Sequence, residues 1–334
     1  EVWKAIGPGK VPLALKIIEL KGSKAGQREF RSLDLLRELR HPNLLPMQGY
    51  WLLDENGAVL EDEQGEAATL VIAMLLGEKS LRQRLEDCER AGSPGIPVNE
   101  LMEYLRDAAK GIDFLNSPRH DFGEGPVSIQ HRDIKPENLL IVGGGVMLAD
   151  FGISRILGSD SNVVMTETAA MTIWYAAPEL FDFKASLWTD QYALAITYYE
   201  LRTGRLPFPP GATPTSVMAA HLRGRHDFSA LSSAEQAALR RATAIVPQER
   251  YPTCIELIVD LATALQGVDL SPCGGEPQAA NLAARSGGAA SAAKQLDILV
   301  RSTAQSSKSL GSALGTSATH VTEPLSRDAT QSER

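Results

Sequence analysis

Apolar positions change their rhythm once along this chain. Before residue 80 they come in short runs: Val11 to Leu20 is strand-like, and Gln48 to Leu53 and Thr69 to Leu76 read as short apolar strands. Gln27 to Arg40 is the helical exception, and Asn56-Gly57 has the chemistry of a hairpin turn. From Ser80 onward the pattern is mainly helical. Leu101, Leu105, Ala108, Ile112 and Leu115 recur at helical spacing and predict one buried stripe. Tyr192 to Tyr199 is apolar nearly all round, which predicts a helix enclosed on every side. Ser232-Ser233-Ala234-Glu235 has the form of a capping box, and Gly267 is placed to end a last helix. No internal repeat is evident. The expected fold class is α+β, with a small β-rich lobe joined to a larger helical lobe, and the junction of two such lobes is a natural ligand cleft.

Aromatic residues mark where the folded part should stop. All 4 Trp, 7 Tyr and 8 Phe lie at or before Tyr251, whereas residues 267–334 are rich in Ala, Ser, Gly and Thr. Such a stretch buries too little apolar surface to offset chain entropy. It reads as a disordered tail or linker, with a transient helix expected around Ala289 to Val300; the functional alternative is a tether.

Composition narrows the function classes. Hydrophobic residues make up 43% and charged residues 22% of the 334, ordinary for a globular protein. A formal net charge of -8 argues against a nucleic-acid partner, which calls for a basic face or tail. Cys88, Cys254 and Cys273 form no Cys-x-x-Cys pair, so neither a disulfide framework nor a zinc site is suggested, and a cytoplasmic location fits. The longest apolar stretch, Leu70 to Leu76, falls far short of the ~20 residues of a membrane helix, so no membrane span is expected within these residues. The acidic loop with Asp54, Glu55, Glu61, Asp62, Glu63 and Glu66 reads as a solvated loop, or else as a surface for a basic partner.

Chemistry concentrates in three segments. His131-Arg132-Asp133-Ile134-Lys135-Pro136-Glu137-Asn138 comes first, Asp150-Phe151-Gly152 begins twelve residues after Asn138, and Ala177-Pro178-Glu179 follows. Upstream, Lys16 stands alone among apolar residues in Leu13-Ala14-Leu15-Lys16-Ile17-Ile18; by itself it would pass for a lysine snorkelling from a strand edge. Asp121-Phe122-Gly123 repeats one motif out of order, within a Gly- and Pro-rich insertion, and is assigned to an ordinary turn.

In this order the segments resemble the eukaryotic-like protein kinases, with the bacterial Ser/Thr kinases as the nearest branch, over roughly residues 1–266. The resemblance implies an N-lobe at 1–74, a hinge at 75–77 and a C-lobe at 78–266. It implies Mg²⁺ and ATP as cofactors and protein substrates with Ser or Thr acceptors. By the same resemblance Asp133 orients the acceptor hydroxyl and takes its proton, and Lys135 neutralises the transferred phosphoryl group. Asn138 and Asp150 would hold the metal, Lys16 the α- and β-phosphates, and Glu29 would pair with Lys16. Counting back from His41-Pro42-Asn43 lands on Ser32, and Glu29 lies one turn earlier on the same helical face. Met74, Leu75 and Gly77 would border the adenine, with Met74 as gatekeeper. Glu179 would pair with Arg250, and Asp190 would hydrogen-bond the catalytic-loop backbone. Thr166 and Thr168 resemble autophosphorylated threonines, for which Arg132 would be the partner and a transient kinase dimer the means; Thr172 would contact Asp133 and the substrate.

The chain departs from the pattern at its start. Glu1-Val2-Trp3-Lys4-Ala5 resembles the end of a glycine-rich loop, so the glycines that cover the phosphates are not among these residues, as expected of an N-terminally truncated catalytic domain. A scaffold protein of the same fold without turnover, and a small-molecule kinase, are the rival readings.

Overall fold

The computed structural model describes residues 1–20, 33, 36–60, 67–121, 125–151, 173–265 and 323–324. Glu29, Gly152, Thr166, Thr168, Thr172, the second half of the acidic loop, Phe122-Gly123, Gly267 and Ala289 to Val300 lie outside the described residues. Two compact units emerge, one built from 1–40, 46–76 and 276–334, the other from 41–45 and 77–275.

The first unit is an antiparallel sheet. Strands β1 (Val2–Ile6), β2 (Pro12–Glu19), β3 (Met47–Leu53) and β4 (Thr69–Leu75) lie in the order β1-β2-β4-β3. Glu323–Pro324, the described part of the tail, pair outside β1, with Pro324 opposite Trp3 and Glu323 opposite Lys4. Alternation gives the sheet two distinct faces. On one, Ala5, Leu13, Leu15, Trp51, Leu53, Val71 and Ala73 form a core against which Trp3, Ile17 and Val59 pack. Leu33 and Leu36, described parts of the segment expected to be helical, are also buried. The turn after β3 closes as its sequence predicts: the Asp54 carboxylate accepts from the amides of Asn56 and Ala58, and Gly57 takes φ 79°.

In the second unit helices dominate, but not alone. Helices α1 (Leu81–Arg90), α2 (Val98–Asn116), α3 (Thr189–Thr203), α4 (Pro214–Leu222), α5 (Ser233–Ala242) and α6 (Cys254–Ala264) are joined by a sheet of β5 (Lys79–Ser80), β8 (Leu139–Val142) and β9 (Gly145–Leu148). A separate ribbon pairs β6 (His120–Asp121) with β7 (Pro126–Val127), on either side of the segment that holds Phe122-Gly123. Helix α3 is buried along its whole length from Thr189 to Leu201, as its all-round apolar pattern predicts. The expected stripe of α2, from Leu101 to Leu115, is fully buried. This helix packs on α6, α3 and β9. Gly111 permits the approach, since a Cβ there would sit 2.9 Å from both the Asn43 carbonyl oxygen and a Leu148 methyl. Among the described residues no helix is long and apolar enough to cross a membrane.

Helix α6 is started by a carboxylate from another helix. Asp113 Oδ1 and Oδ2 accept from the amides of Cys254 and Ile255 at 2.8 and 3.0 Å, satisfying two N–H groups that a helix start leaves without partners. Asp113→Ala is expected to cost about 1–2 kcal/mol in urea denaturation, the range of a lost helix cap, with Asp113→Asn losing less because one acceptor survives. A midpoint unchanged by the alanine would remove Asp113 from the stabilising contacts.

Candidate active site

A hairpin brings distant residues to one place. β8 and β9 pair antiparallel with Leu139 opposite Leu148, and the turn between them runs through Gly143 and Gly144 at φ 60° and 83°. At the open end the Ala149 amide donates to the Asn138 carbonyl at 2.9 Å. Asn138, which precedes β8, and Asp150, which follows β9, are therefore held at the same end of the hairpin. Asp150 has φ 63°, an uncommon conformation for a residue with a side chain.

The loop from His131 to Asn138 is anchored from beneath. Asp190, fully buried on α3, accepts from the amides of His131 and Arg132 at 2.8 and 2.7 Å. Burial pushes the Asp190 carboxyl above its ordinary value, against the opposing pull of His131 and of those two amides. Arg132 is held at φ 63°, and the paired carboxylate bonds are what keep this backbone in place. His131, fully buried, donates from Nε2 to the Ala149 carbonyl at 2.8 Å and so ties the loop to the peptide that carries Asp150. Sequence reasoning gave His131 no task of its own.

Within the loop, Asp133 is the hub. Lys135 Nζ donates to Asp133 Oδ1 and Oδ2 at 2.8 and 2.9 Å. Asn138 Nδ2 donates to Oδ2 at 2.8 Å and to the Asp133 carbonyl at 2.7 Å. Burial alone would raise the Asp133 carboxyl, but the charge and hydrogen bonds of Lys135, with smaller help from His131 and Asn138, hold it below the usual carboxylate range. It is ionised at neutral pH. Lys135 is 9% exposed, an unusual burial for a lysine that its two bonds to Asp133 account for. With Nδ2 committed to Asp133, the amide oxygen is the polar side-chain atom that Asn138 leaves for other partners. Phe151 is buried next to Asp150.

Other expected residues sit as follows. Glu179 and Arg250 form a two-pronged pair at 2.9 and 2.8 Å, with Arg250 only 2% exposed. In the sheet unit, Lys16 stands opposite Ile72 and Ala14 opposite Met74, so Lys16 and Met74 share the face opposite that unit's apolar core. Met74 and Leu75 close β4, and Gly77 follows two residues later in the other unit. Among the described residues no cluster of three or more His, Cys, Asp or Glu could hold a metal.

Comparison with known proteins agrees with this architecture. The model of the protein kinase domain matches residues 2–264. Serine/threonine-protein kinase PknF of Mycobacterium tuberculosis is 29% identical over 267 residues, covering 76% of this chain and 51% of that protein. PknJ of the same organism is 32% identical over 256 residues, 72% of this chain and 38% of its own. Cyclin-dependent kinase 4 of Ovis aries is 34% identical over 154 residues, 46% of this chain and 43% of its own. The chain thus spans about half the length, 51%, of the relative PknF. With the catalytic loop, the hairpin that carries Asp150 and the Glu179–Arg250 pair in place, the chain belongs to the protein kinase domain family.

Proposed function

We propose that this chain is a Ser/Thr protein kinase that transfers the ATP γ-phosphate to Ser or Thr hydroxyls of protein substrates. The observation that carries the reading is the linked set Lys135–Asp133–Asn138, pinned by Asp190 and set beside Asp150 at the hairpin end. Phosphoryl transfer demands positioning and neutralisation of charge rather than covalent chemistry, and this set supplies both. Asp133, ionised and held in a fixed orientation, receives the acceptor hydroxyl and its proton. Lys135 places a cation where negative charge develops on the phosphoryl oxygens. Asn138 and Asp150 are the residues that would hold Mg²⁺, because two oxygen ligands from protein, completed by phosphates and water, suit that cation. Mg²⁺ bound there would neutralise phosphate charge. Lys16 is the residue for the α- and β-phosphates, Glu29 its proposed partner, and Met74, Leu75 and Gly77 the border of the adenine.

Autophosphorylation at Thr166 or Thr168, through a transient dimer, is the proposed regulation, and Arg132 would receive the phosphate through charge-assisted hydrogen bonds. Incubation with ATP and Mg²⁺ is expected to yield phosphothreonine at one or both positions, by mass spectrometry, and none in the Asp150→Ala variant. Phosphothreonine in that variant would refute the metal assignment; its absence from the unsubstituted chain on any Ser/Thr protein would favour a scaffold without turnover.

A further inference from the structure

Arg82 stands where helix energetics would not put it. It is the second residue of α1, whose start is fixed by a capping box: the Gln83 amide donates to Ser80 Oγ, and the Ser80 amide donates to Gln83 Oε1. A cation in the first turn opposes the helix dipole, and no acidic residue of that turn compensates it. Its partners are elsewhere. Arg82 Nε donates to Glu137 Oε1 at 2.9 Å, and Nη2 donates to the Tyr175 hydroxyl at 2.9 Å and to Glu200 Oε1 at 2.8 Å. The Tyr175 hydroxyl donates in turn to Glu200 Oε2 at 2.6 Å.

These partners come from three places that matter. Glu137 belongs to the catalytic loop, four residues after Asp133. Tyr175 belongs to the segment that leads into Ala177-Pro178-Glu179. Glu200 lies on the buried helix α3 and is 6% exposed, a fixed post for the other groups. Burial pushes the Tyr175 hydroxyl well up, so it remains a donor, while three oxygen partners keep Arg82 charged despite its own burial. A planar guanidinium is the side chain that can hold three acceptors in fixed directions; an ammonium is a point charge on a flexible stem.

The segment held in this way lies against the loop that carries Asp133. Arg132, Asp133 and Ile134 line one small cavity together with Tyr175, Ala176 and Leu180, and with Thr189, Asp190 and Ala193 of α3 beneath them. Tyr175 and Ala176 thus form a wall beside the loop that carries Asp133.

We propose that Arg82 is a positioning residue for the acceptor substrate, setting the wall at Tyr175 and Ala176 at a fixed distance from Asp133 by clamping Tyr175 to Glu137. This rests on the kinase reading above. Arg82 touches no reacting atom; it acts through the two elements it joins, the loop of Asp133 and the segment of Tyr175. Losing it therefore weakens binding of the acceptor more than binding of ATP or the transfer step.

Arg82→Gln and Arg82→Lys would be compared with the unsubstituted chain and with Arg84→Gln, two residues further along α1, which breaks the pair that Arg84 makes with Glu100 of α2. Two readouts serve. Amide exchange across residues 173–177 is expected to speed up in both Arg82 variants, with exchange in α3 unchanged. KM for a Ser/Thr peptide is expected to rise about tenfold, the order for lost charge-assisted hydrogen bonds, with KM for ATP within about twofold. Arg84→Gln is expected to move neither. A merely structural role would lower kcat through a smaller active fraction and leave both KM values in place, and that result overturns the proposal. So does full recovery of peptide KM by lysine, or unchanged exchange at 173–177. A chain that phosphorylates no Ser/Thr peptide would refute the kinase reading instead, and the exchange measurement would still decide whether Arg82 holds the segment.

Discussion

Asp133→Asn is expected to leave a folded chain that transfers phosphate about 10²–10⁴ times more slowly, the usual contribution of a positioned acid–base group. The substitution keeps size and one acceptor oxygen but removes the charge proposed to receive the hydroxyl proton. It also sets an NH₂ group where Lys135 Nζ or Asn138 Nδ2 now donates, so at least one of the three contacts to the carboxylate must be given up. The two bonds from Asp190 to the loop backbone do not involve the Asp133 side chain and should hold the fold. Phosphate incorporation into a Ser/Thr protein, read beside a thermal melt, separates the two effects. Activity equal to that of the unsubstituted chain would remove Asp133 from the reaction. The pH profile gives an independent check. Because Lys135 and Asn138 hold the Asp133 carboxyl below its ordinary value, its ionised form persists as pH falls through the usual carboxylate range. An acid limb of the rate profile near neutrality would thus belong to another group.

Much of this site could be read from the sequence because its parts are contiguous. Asp133, Lys135 and Asn138 lie within six residues, and one loop is enough to make them neighbours. The hydrophobic pattern likewise located β2, β3, β4, α2 and α3 to within a residue or a few, since a period of two or of 3.6 is set by local geometry. The β8–β9 hairpin went unread, although two apolar runs around Gly143-Gly144 were its signal; a short run between helices has too few residues to show a period. Arg82 could not have been found this way. Its partners are 55, 93 and 118 residues distant in sequence, and nothing in α1 itself announces them. The same holds for Tyr192, whose hydroxyl meets His221 and His226 at 2.7 and 3.0 Å inside a cluster of rings, where burial lowers both histidines to about 3 and about 4. Long-range polar contacts are fixed by packing, which periodicity does not encode.

Glu179→Ala is expected to be the most damaging change to stability, because it strands a buried cation. Arg250 donates to both Glu179 oxygens and also to the carbonyls of Ala244 and Trp188, and its guanidinium lies over the Tyr192 ring at 4.9 Å. The carbonyls remain after the substitution, but no anion does. Breaking one side of such a pair typically costs about 3–5 kcal/mol. For a domain of this size that corresponds to a fall in Tm of about 10 °C. The effect should depend on pH with a definite sign. Burial raises the Glu179 carboxyl, yet the bonds and charge of Arg250, with the Thr189 hydroxyl, hold it below its ordinary value in the folded chain. A group lowered on folding contributes stability that is complete above its unfolded pKa and is lost as pH falls through the folded one. The gap between the two chains should therefore be full at pH 7 and narrow in acid, as Glu179 becomes protonated in the unsubstituted chain too. Adding Arg250→Met to Glu179→Ala should restore part of the loss, since an apolar side chain over Tyr192 leaves no charge to satisfy, whereas Arg250→Met alone strands the carboxylate. Equal Tm values for Glu179→Ala and the unsubstituted chain at pH 7, or a double variant less stable than both single ones, would show that the pair does not hold the segment after Tyr175 to α3 and the chain around Arg250.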